Sequence, residues 1–249
     1  MGLGFIGTGT MAAAIVEGLG GGEILVSPRG AALAADLTAR FAGVKVADSN
    51  QSVVDGSETV VLAVRPQVAE EVIRELRFRP DQRVISVIAA TPIDRLREWI
   101  GLDLSITRAI PLPFVAARRG VTPIFPPNAE AAELFNKLGT AVPCHTIEEF
   151  DLLAVGSALM GSYFGVLETV QGWLSSQGLS ETASRTYLAG LFASLGETAE
   201  ASSSDFAALR DEYSTKGGLN EQMFRVFAEQ GGTAAMNGAL TSVLTRIRG

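Results

Sequence analysis

Gly7, Gly9 and Ala12 stand at the spacing G-x-G-x-x-A. They directly follow the apolar run Leu3-Gly4-Phe5-Ile6 and directly precede Ala13-Ala14-Ile15-Val16. A strand, a glycine-rich turn and a helix in that order bind the pyrophosphate of a dinucleotide. Gly7 permits the tight turn, Gly9 lets the pyrophosphate approach the backbone, and Ala12 lets helix and strand pack closely. Thr10 and Met11 open the helix, where unpaired N–H groups and the positive end of the helix dipole face the phosphates. An ordinary strand–helix turn is the competing account. The second strand that arrives on schedule argues against it.

The second strand ends Val26-Ser27-Pro28-Arg29-Gly30, with no Asp or Glu to bind a ribose 2′-hydroxyl. Ser27 is expected to donate a hydrogen bond to a 2′-phosphate. Arg29 is expected to pair with that phosphate and stack on adenine, a solvated loop arginine being the alternative. The expected cofactor is therefore NADP(H) in preference to NAD(H). Ligands of open α/β sheets bind outside the carboxyl ends of strands. Val64, Arg65 and Pro66, and after the next strand Ala89 and Ala90, are thus expected to border the nicotinamide. Thr91 is expected to cap a helix over 92–100, with Pro92 at its first position.

These residues need a frame. Strands are expected at 23–27, 44–47, 59–64, 84–89, 104–110 and 120–125, with helices at 31–41, 50–56 and 66–76 between them. Alternation of this kind implies an α/β Rossmann domain with a doubly wound, mostly parallel sheet. From residue 148 onward no strand is expected. Helices are expected at 150–175, 180–199, 204–212, 220–229 and 233–246, an all-α C-terminal domain. The expected division is 1–146 and 147–249. Leu153, Leu159, Met160, Phe164, Leu167 and Val170 nearly encircle the 150–175 helix, and roughly 100 residues are a thin cover for it. A homodimer through the C-terminal helices is the expected solution, and Tyr163 and Trp173 are read as core or interface aromatics.

The chain has 249 residues, 47% apolar and 19% charged, and a net charge of −7. It is globular, and without a basic stripe nucleic acid is not an expected partner. Cys144 is the single cysteine, so no internal disulfide forms and a cytoplasmic location is expected. No run reaches roughly 18 uninterrupted apolar residues, so no membrane span is expected. The first strand is expected to begin at residue 2 or 3, so no signal peptide is expected.

Several segments together resemble the pyrroline-5-carboxylate reductase family. Gly4-Phe5-Ile6-Gly7-Thr8-Gly9-Thr10-Met11 matches the family's opening, and Val61-Leu62-Ala63-Val64-Arg65-Pro66-Gln67 its "LAVKPQ". Ser86-Val87-Ile88-Ala89-Ala90 is similar to "S-x-x-AG", Arg108-Ala109-Ile110-Pro111 to "RAMP", and Ser214-Thr215-Lys216-Gly217-Gly218-Leu219-Asn220 to "TSPGGTT". The resemblance implies reduction of a cyclic imine carboxylate, most simply 1-pyrroline-5-carboxylate to proline, with NAD(P)H. It implies that Ser214, Thr215, Gly217 and Gly218 hold the substrate carboxylate. Asn220 stands at the place of a threonine that faces the imine. Leu112-Pro113-Phe114 replaces the polar continuation of "RAMP", and a more apolar pocket there suits a different cyclic imine.

The residues bear on the chemistry independently of that resemblance. Reduction of a ketone needs a proton donor, whereas an iminium already carries its proton. Dehydrogenases of the 3-hydroxyacid type place a lysine on the first long C-terminal helix, and 150–175 contains none. The only histidine, His145, is read as a loop residue. Lys216 either pairs with a substrate carboxylate, tunes imine protonation, or is a solvated loop lysine. Asn220 either donates to substrate or caps the following helix. Gly217 and Gly218 lead into that helix and make an anion site by the logic of the first motif. Glu168 and Glu221 are read as structural or solvated. A 3-hydroxyacid-type dehydrogenase and a non-catalytic nucleotide-binding regulator remain the alternatives.

Overall fold

Residues 2–249 are described by the structure, a computed structural model. Strands and helices alternate as β1 (Leu3–Ile6), α1 (Thr10–Leu19), β2 (Ile24–Val26), α2 (Ala31–Arg40), β3 (Val44–Val46), α3 (Asn50–Asp55), β4 (Thr59–Leu62), α4 (Pro66–Arg74), β5 (Arg83–Ser86), α5 (Ile93–Ile100) and β6 (Ser105–Ala109). A 3-10 turn (Pro113–Ala117) leads to β7 (Gly120–Phe125), α6 (Ala129–Asn136) and β8 (Gly139–Pro143). The sheet order is β3-β2-β1-β4-β5-β6-β7-β8. β1 to β6 are parallel; β7 runs antiparallel to β6 and parallel to β8.

Alternation along β4 shows why the sheet is covered on both faces. Val60 and Leu62 join Ile6, Ile73, Val84 and Leu96 on one side. Val61 joins Phe5, Ile15, Leu37 and Ile85 on the other. Successive side chains of a strand point to opposite faces, so a continuous apolar run needs a helix layer on each. Strand order reverses between β1 and β4, which opens a crevice at their carboxyl ends.

β8 and α6 fall where the sequence reading assigned no element. β8 carries Gly139 and Pro143 and is half-exposed or exposed throughout, so no apolar run marks it. α6 is started by Asn128, whose side chain accepts the Ala131 N–H at 2.8 Å.

The chain divides into two compact units, the first ending at Ala154 and the second being Val155–Gly249. The division lies inside α7 (Ile147–Ser157), eight residues beyond the 146/147 division read from sequence. The opening of α7 belongs to the first unit for a packing reason. Phe150 is buried, 6.0 Å from the Phe125 ring, and the Arg108 guanidinium lies 4.7 Å above it. Thr146 and Glu149 form a capping box: Thr146 Oγ1 accepts the Glu149 N–H, and the Glu149 carboxylate accepts the His145 and Thr146 N–H groups.

The second unit continues with α8 (Leu159–Ser176), α9 (Glu181–Ala201), α10 (Phe206–Glu212), α11 (Leu219–Glu229) and α12 (Gly232–Arg248). Ser180 caps α9 and Asp205 caps α10, each side chain accepting an N–H three residues on. The single helix expected at 150–175 is broken at Ala158 into α7 and α8. Together 147–176 is long and apolar enough to cross a membrane by length and composition, its most apolar 18-residue stretch having a mean hydropathy of 1.5, a reach that uninterrupted runs did not reveal. α8 has no buried residue within one chain, and Phe164 and Trp173 are 63% and 64% exposed. A helix this apolar is left uncovered by its own unit.

Candidate functional site

The turn after β1 is built for close approach. Gly7 adopts φ +95, and a Cβ there would lie 2.7 Å from the Ala63 carbonyl oxygen and 2.9 Å from Val64 Cγ1. Both the left-handed backbone and the neighbouring end of β4 therefore require glycine. Gly9 differs. It is the N-cap of α1 at φ −100, ψ −173, which any residue adopts, and a Cβ would meet nothing within 4 Å. No contact inside the chain demands glycine there, and the space above its backbone is open. α1 has no capping side chain and no acidic residue in its first turn, so its N-terminal N–H groups are open to an anion. Thr10 is exposed and Met11 half-buried beside them, and Ala12 is fully buried, as close helix–strand packing needs. These features fit a dinucleotide pyrophosphate.

The parallel strands bring the other expected cofactor residues to the same edge. Val64, Arg65 and Pro66 follow β4, and Arg65 is exposed as the N-cap of α4. Ala89 and Ala90 follow β5 and are exposed. Arg29 follows β2, is exposed, and pairs with no carboxylate among the described residues.

Ser27 requires a correction. It is fully buried, and its hydroxyl accepts the Gly7 N–H at 3.0 Å. The Thr8 hydroxyl donates to the Ser27 carbonyl at 2.7 Å and lies 3.2 Å from the Ser27 hydroxyl. Ser27 thus ties the end of β2 to the glycine turn and does not face a 2′-phosphate. Sequence reasoning also passed over Gly30, whose φ is +95 and whose Cβ would strike the Thr8 carbonyl oxygen. The only signal was a glycine immediately before a helix. A second correction concerns Thr91. Its hydroxyl donates to the Ala89 carbonyl at 3.1 Å, and Pro92 is the N-cap of α5.

The segment 213–220 lies in the second unit and comprises the loop between α10 and α11 with the first two residues of α11. Gly218 N–H donates to the Thr215 carbonyl at 2.7 Å, closing a four-residue turn whose third residue, Gly217, has φ +73. Gly217 N–H donates to Glu221 Oε2 at 2.6 Å. Both glycine amides expected to hold a substrate carboxylate are therefore engaged internally, one by a carboxylate of the chain itself. Asn220 neither caps α11 nor stands free: its side-chain amide donates to the Tyr213 carbonyl at 2.7 Å. The Ser214 and Thr215 hydroxyls make no hydrogen bond among the described residues. Lys216 is exposed without an ion pair. A groove of about 560 Å³ is lined by Arg210, Asp211, Ser214, Lys216, Glu221, Phe224 and Arg225. Arg210 is paired with Asp211 at 2.7 Å and Arg225 with Glu229 at 3.1 Å, which leaves Lys216 as the uncommitted cation of the groove.

Comparisons with known proteins bear on both units. Residues 2–90 match the family model described as NADP oxidoreductase coenzyme F420-dependent, and residues 151–249 the model described as pyrroline-5-carboxylate reductase dimerisation. The chain is 29% identical to the pyrroline-5-carboxylate reductase of Pseudomonas aeruginosa, over 97% of this chain and 94% of that protein. The chain belongs to the pyrroline-5-carboxylate reductase family.

By family it is an oxidoreductase of that type, and 151–249 is its dimerisation domain. The fold agrees. The Coxiella burnetii pyrroline-5-carboxylate reductase superposes with a TM-score of 0.87 at 22% identity, covering 99% of this chain and 97% of that one. A Plasmodium falciparum pyrroline carboxylate reductase with NADP bound gives 0.83 at 17% identity, covering 99% and 97%. α8, with its bare apolar face, lies within the matched dimerisation region.

Proposed function

We propose that this family member reduces 1-pyrroline-5-carboxylate to proline with NADPH, as a homodimer joined through its C-terminal helices. The observation that carries the reading is one chain holding both an open, glycine-lined helix N-terminus after β1 and the dimerisation domain of these reductases. When bound, the reduced nicotinamide supplies the hydride for the imine carbon. The backbone of Gly7 to Met11 holds the pyrophosphate, and Arg29 holds the 2′-phosphate. Val64, Arg65, Pro66, Ala89 and Ala90 border the nicotinamide half.

Ser214, Thr215 and Lys216 hold the substrate carboxylate with side chains that no internal partner occupies. Asn220 acts through the loop it closes onto Tyr213, as a positioning residue. Gly217 and Gly218 contribute the turn that shapes the loop. The cytoplasm is the location in keeping with a lone, buried cysteine.

Leu112-Pro113-Phe114 favours a second reading, a cyclic imine other than 1-pyrroline-5-carboxylate, because an apolar segment with Phe114 49% exposed stands where the resembled motif continues with polar residues. The test is steady-state oxidation of NADPH by the purified protein with 1-pyrroline-5-carboxylate and a panel of cyclic imines, with product identified by chromatography. Proline formation is expected. A protein that binds NADPH and reduces none of the panel is a nucleotide-binding regulator.

A further inference from the structure

Two charges of the groove beside α11 are left over once its ion pairs are made. Arg210 is closed onto Asp211 and Arg225 onto Glu229. Lys216 and Glu221 line the same groove, both are exposed, and no ion pair joins them. Glu221 is held by one oxygen only. Its Oε2 accepts the Gly217 N–H at 2.6 Å, and its Oε1 has no hydrogen-bond partner among the described residues. The contact is that of a capping box, a glutamate in the first turn of α11 reaching back to the chain before it. It orients the carboxylate and leaves half of its accepting capacity open to the groove.

An oriented anion and a free cation on one groove match a small ligand that carries both charges. A protonated cyclic imine carboxylate is such a ligand, with an iminium N–H and a carboxylate on one ring. We infer that Glu221 is a catalytic residue that accepts the iminium N–H through Oε1 and keeps the imine in its protonated form, while Lys216 takes the carboxylate. The inference rests on the imine reading above and names the group that retains the proton. A carboxylate beside an iminium favours the charged form, and the pair strengthens as the bound ring displaces water. On the substrate, the imine carbon gains a hydride from the reduced nicotinamide, the C=N π pair becomes the nitrogen lone pair, and the proton stays on nitrogen. No side chain gives up a proton, in keeping with a helical half that has no lysine over 150–175.

The test is steady-state kinetics of the full chain with 1-pyrroline-5-carboxylate, and competition by two saturated rings. Proline carries an N–H; tetrahydrofuran-2-carboxylate has an oxygen in its place. Glu221→Gln keeps an acceptor for the Gly217 N–H and removes only the charge, so the unfolding temperature and NADPH affinity are expected to hold. Its kcat/KM is expected to fall about tenfold to a hundredfold, the worth of a hydrogen bond between charged groups. Its inhibition constant for proline is expected to rise about tenfold, with that for tetrahydrofuran-2-carboxylate changed less than about twofold. Lys216→Met is expected to weaken both inhibitors alike. A Glu221→Gln protein with unchanged or raised kcat/KM, or with both inhibitors shifted equally, overturns the inference and leaves the proposed function standing. A wild-type chain that reduces no imine overturns both.

Discussion

Gly7 and Gly9 belong to one turn, yet substitution by alanine separates folding from binding. At Gly7 an added Cβ meets a backbone carbonyl oxygen at 2.7 Å and its carbon at 2.9 Å, and the residue sits at φ +95. The left-handed backbone costs about 1–2 kcal/mol, and overpacking against a strand end that cannot move costs about 1–3 kcal/mol. At roughly 2–4 °C per kcal/mol for a chain of this size, Gly7→Ala should lower the unfolding temperature by about 10 °C. At Gly9 the added methyl meets nothing within 4 Å and the backbone is extended. A slightly poorer N-cap and a stiffer unfolded chain nearly cancel, so Gly9→Ala should stay within about 0.5 kcal/mol of wild type. Its methyl stands where the pyrophosphate must approach, and NADPH affinity should fall about tenfold or more, roughly 1.4 kcal/mol. Scanning calorimetry at matched protein concentration and titration calorimetry with NADPH measure the two effects. A Gly9→Ala protein that binds NADPH as wild type does refutes the cradle. Equal destabilisation by the two substitutions refutes the packing argument.

Arg29→Ala should weaken NADPH at least tenfold and NADH less than twofold, since only the former carries a 2′-phosphate; parallel losses in fluorescence titrations count against the assignment. Ser27→Ala should cost about 1–3 kcal/mol in denaturant unfolding, because it leaves the Gly7 N–H without its acceptor, while the Thr8 hydroxyl keeps the Ser27 carbonyl. The ratio of NADPH to NADH affinity should not move. Asn220→Ala releases the loop from Tyr213 and should raise KM for the imine several-fold while NADPH affinity holds; an unchanged KM removes Asn220 from the site. Cys144 is buried, and burial with the Glu149 carboxylate nearby pushes its thiol pKa up. It should resist alkylation in the folded protein at neutral pH and react in urea, and rapid labelling of the native state would contradict that placement.

The strand–turn–helix at residues 3–19 was legible in the sequence because glycine spacing and apolar periodicity are local quantities. So were the parallel sheet and the helical run after 148, since Val60, Val61 and Leu62 demand cover on both faces and no strand pattern follows that point. The uncovered apolar face of the first long helix was legible too, in six residues that encircle it. What side chains do once the loops meet was not. Ser27 looked like a phosphate ligand until the turn after β1 folded over it and took its hydroxyl. Glu221 was read as structural or solvated, and only the turn at Gly217, which brought an N–H within its reach, decided for the first. The opening of α7 joined the first unit because Phe150 found Phe125 and Arg108, residues 25 and 42 positions earlier in the chain. Periodicity and turn chemistry act over a few neighbouring residues and survive in a linear string. Hydrogen-bond partnership and burial depend on which distant segments the sheet order brings together, and only the tertiary structure decides that.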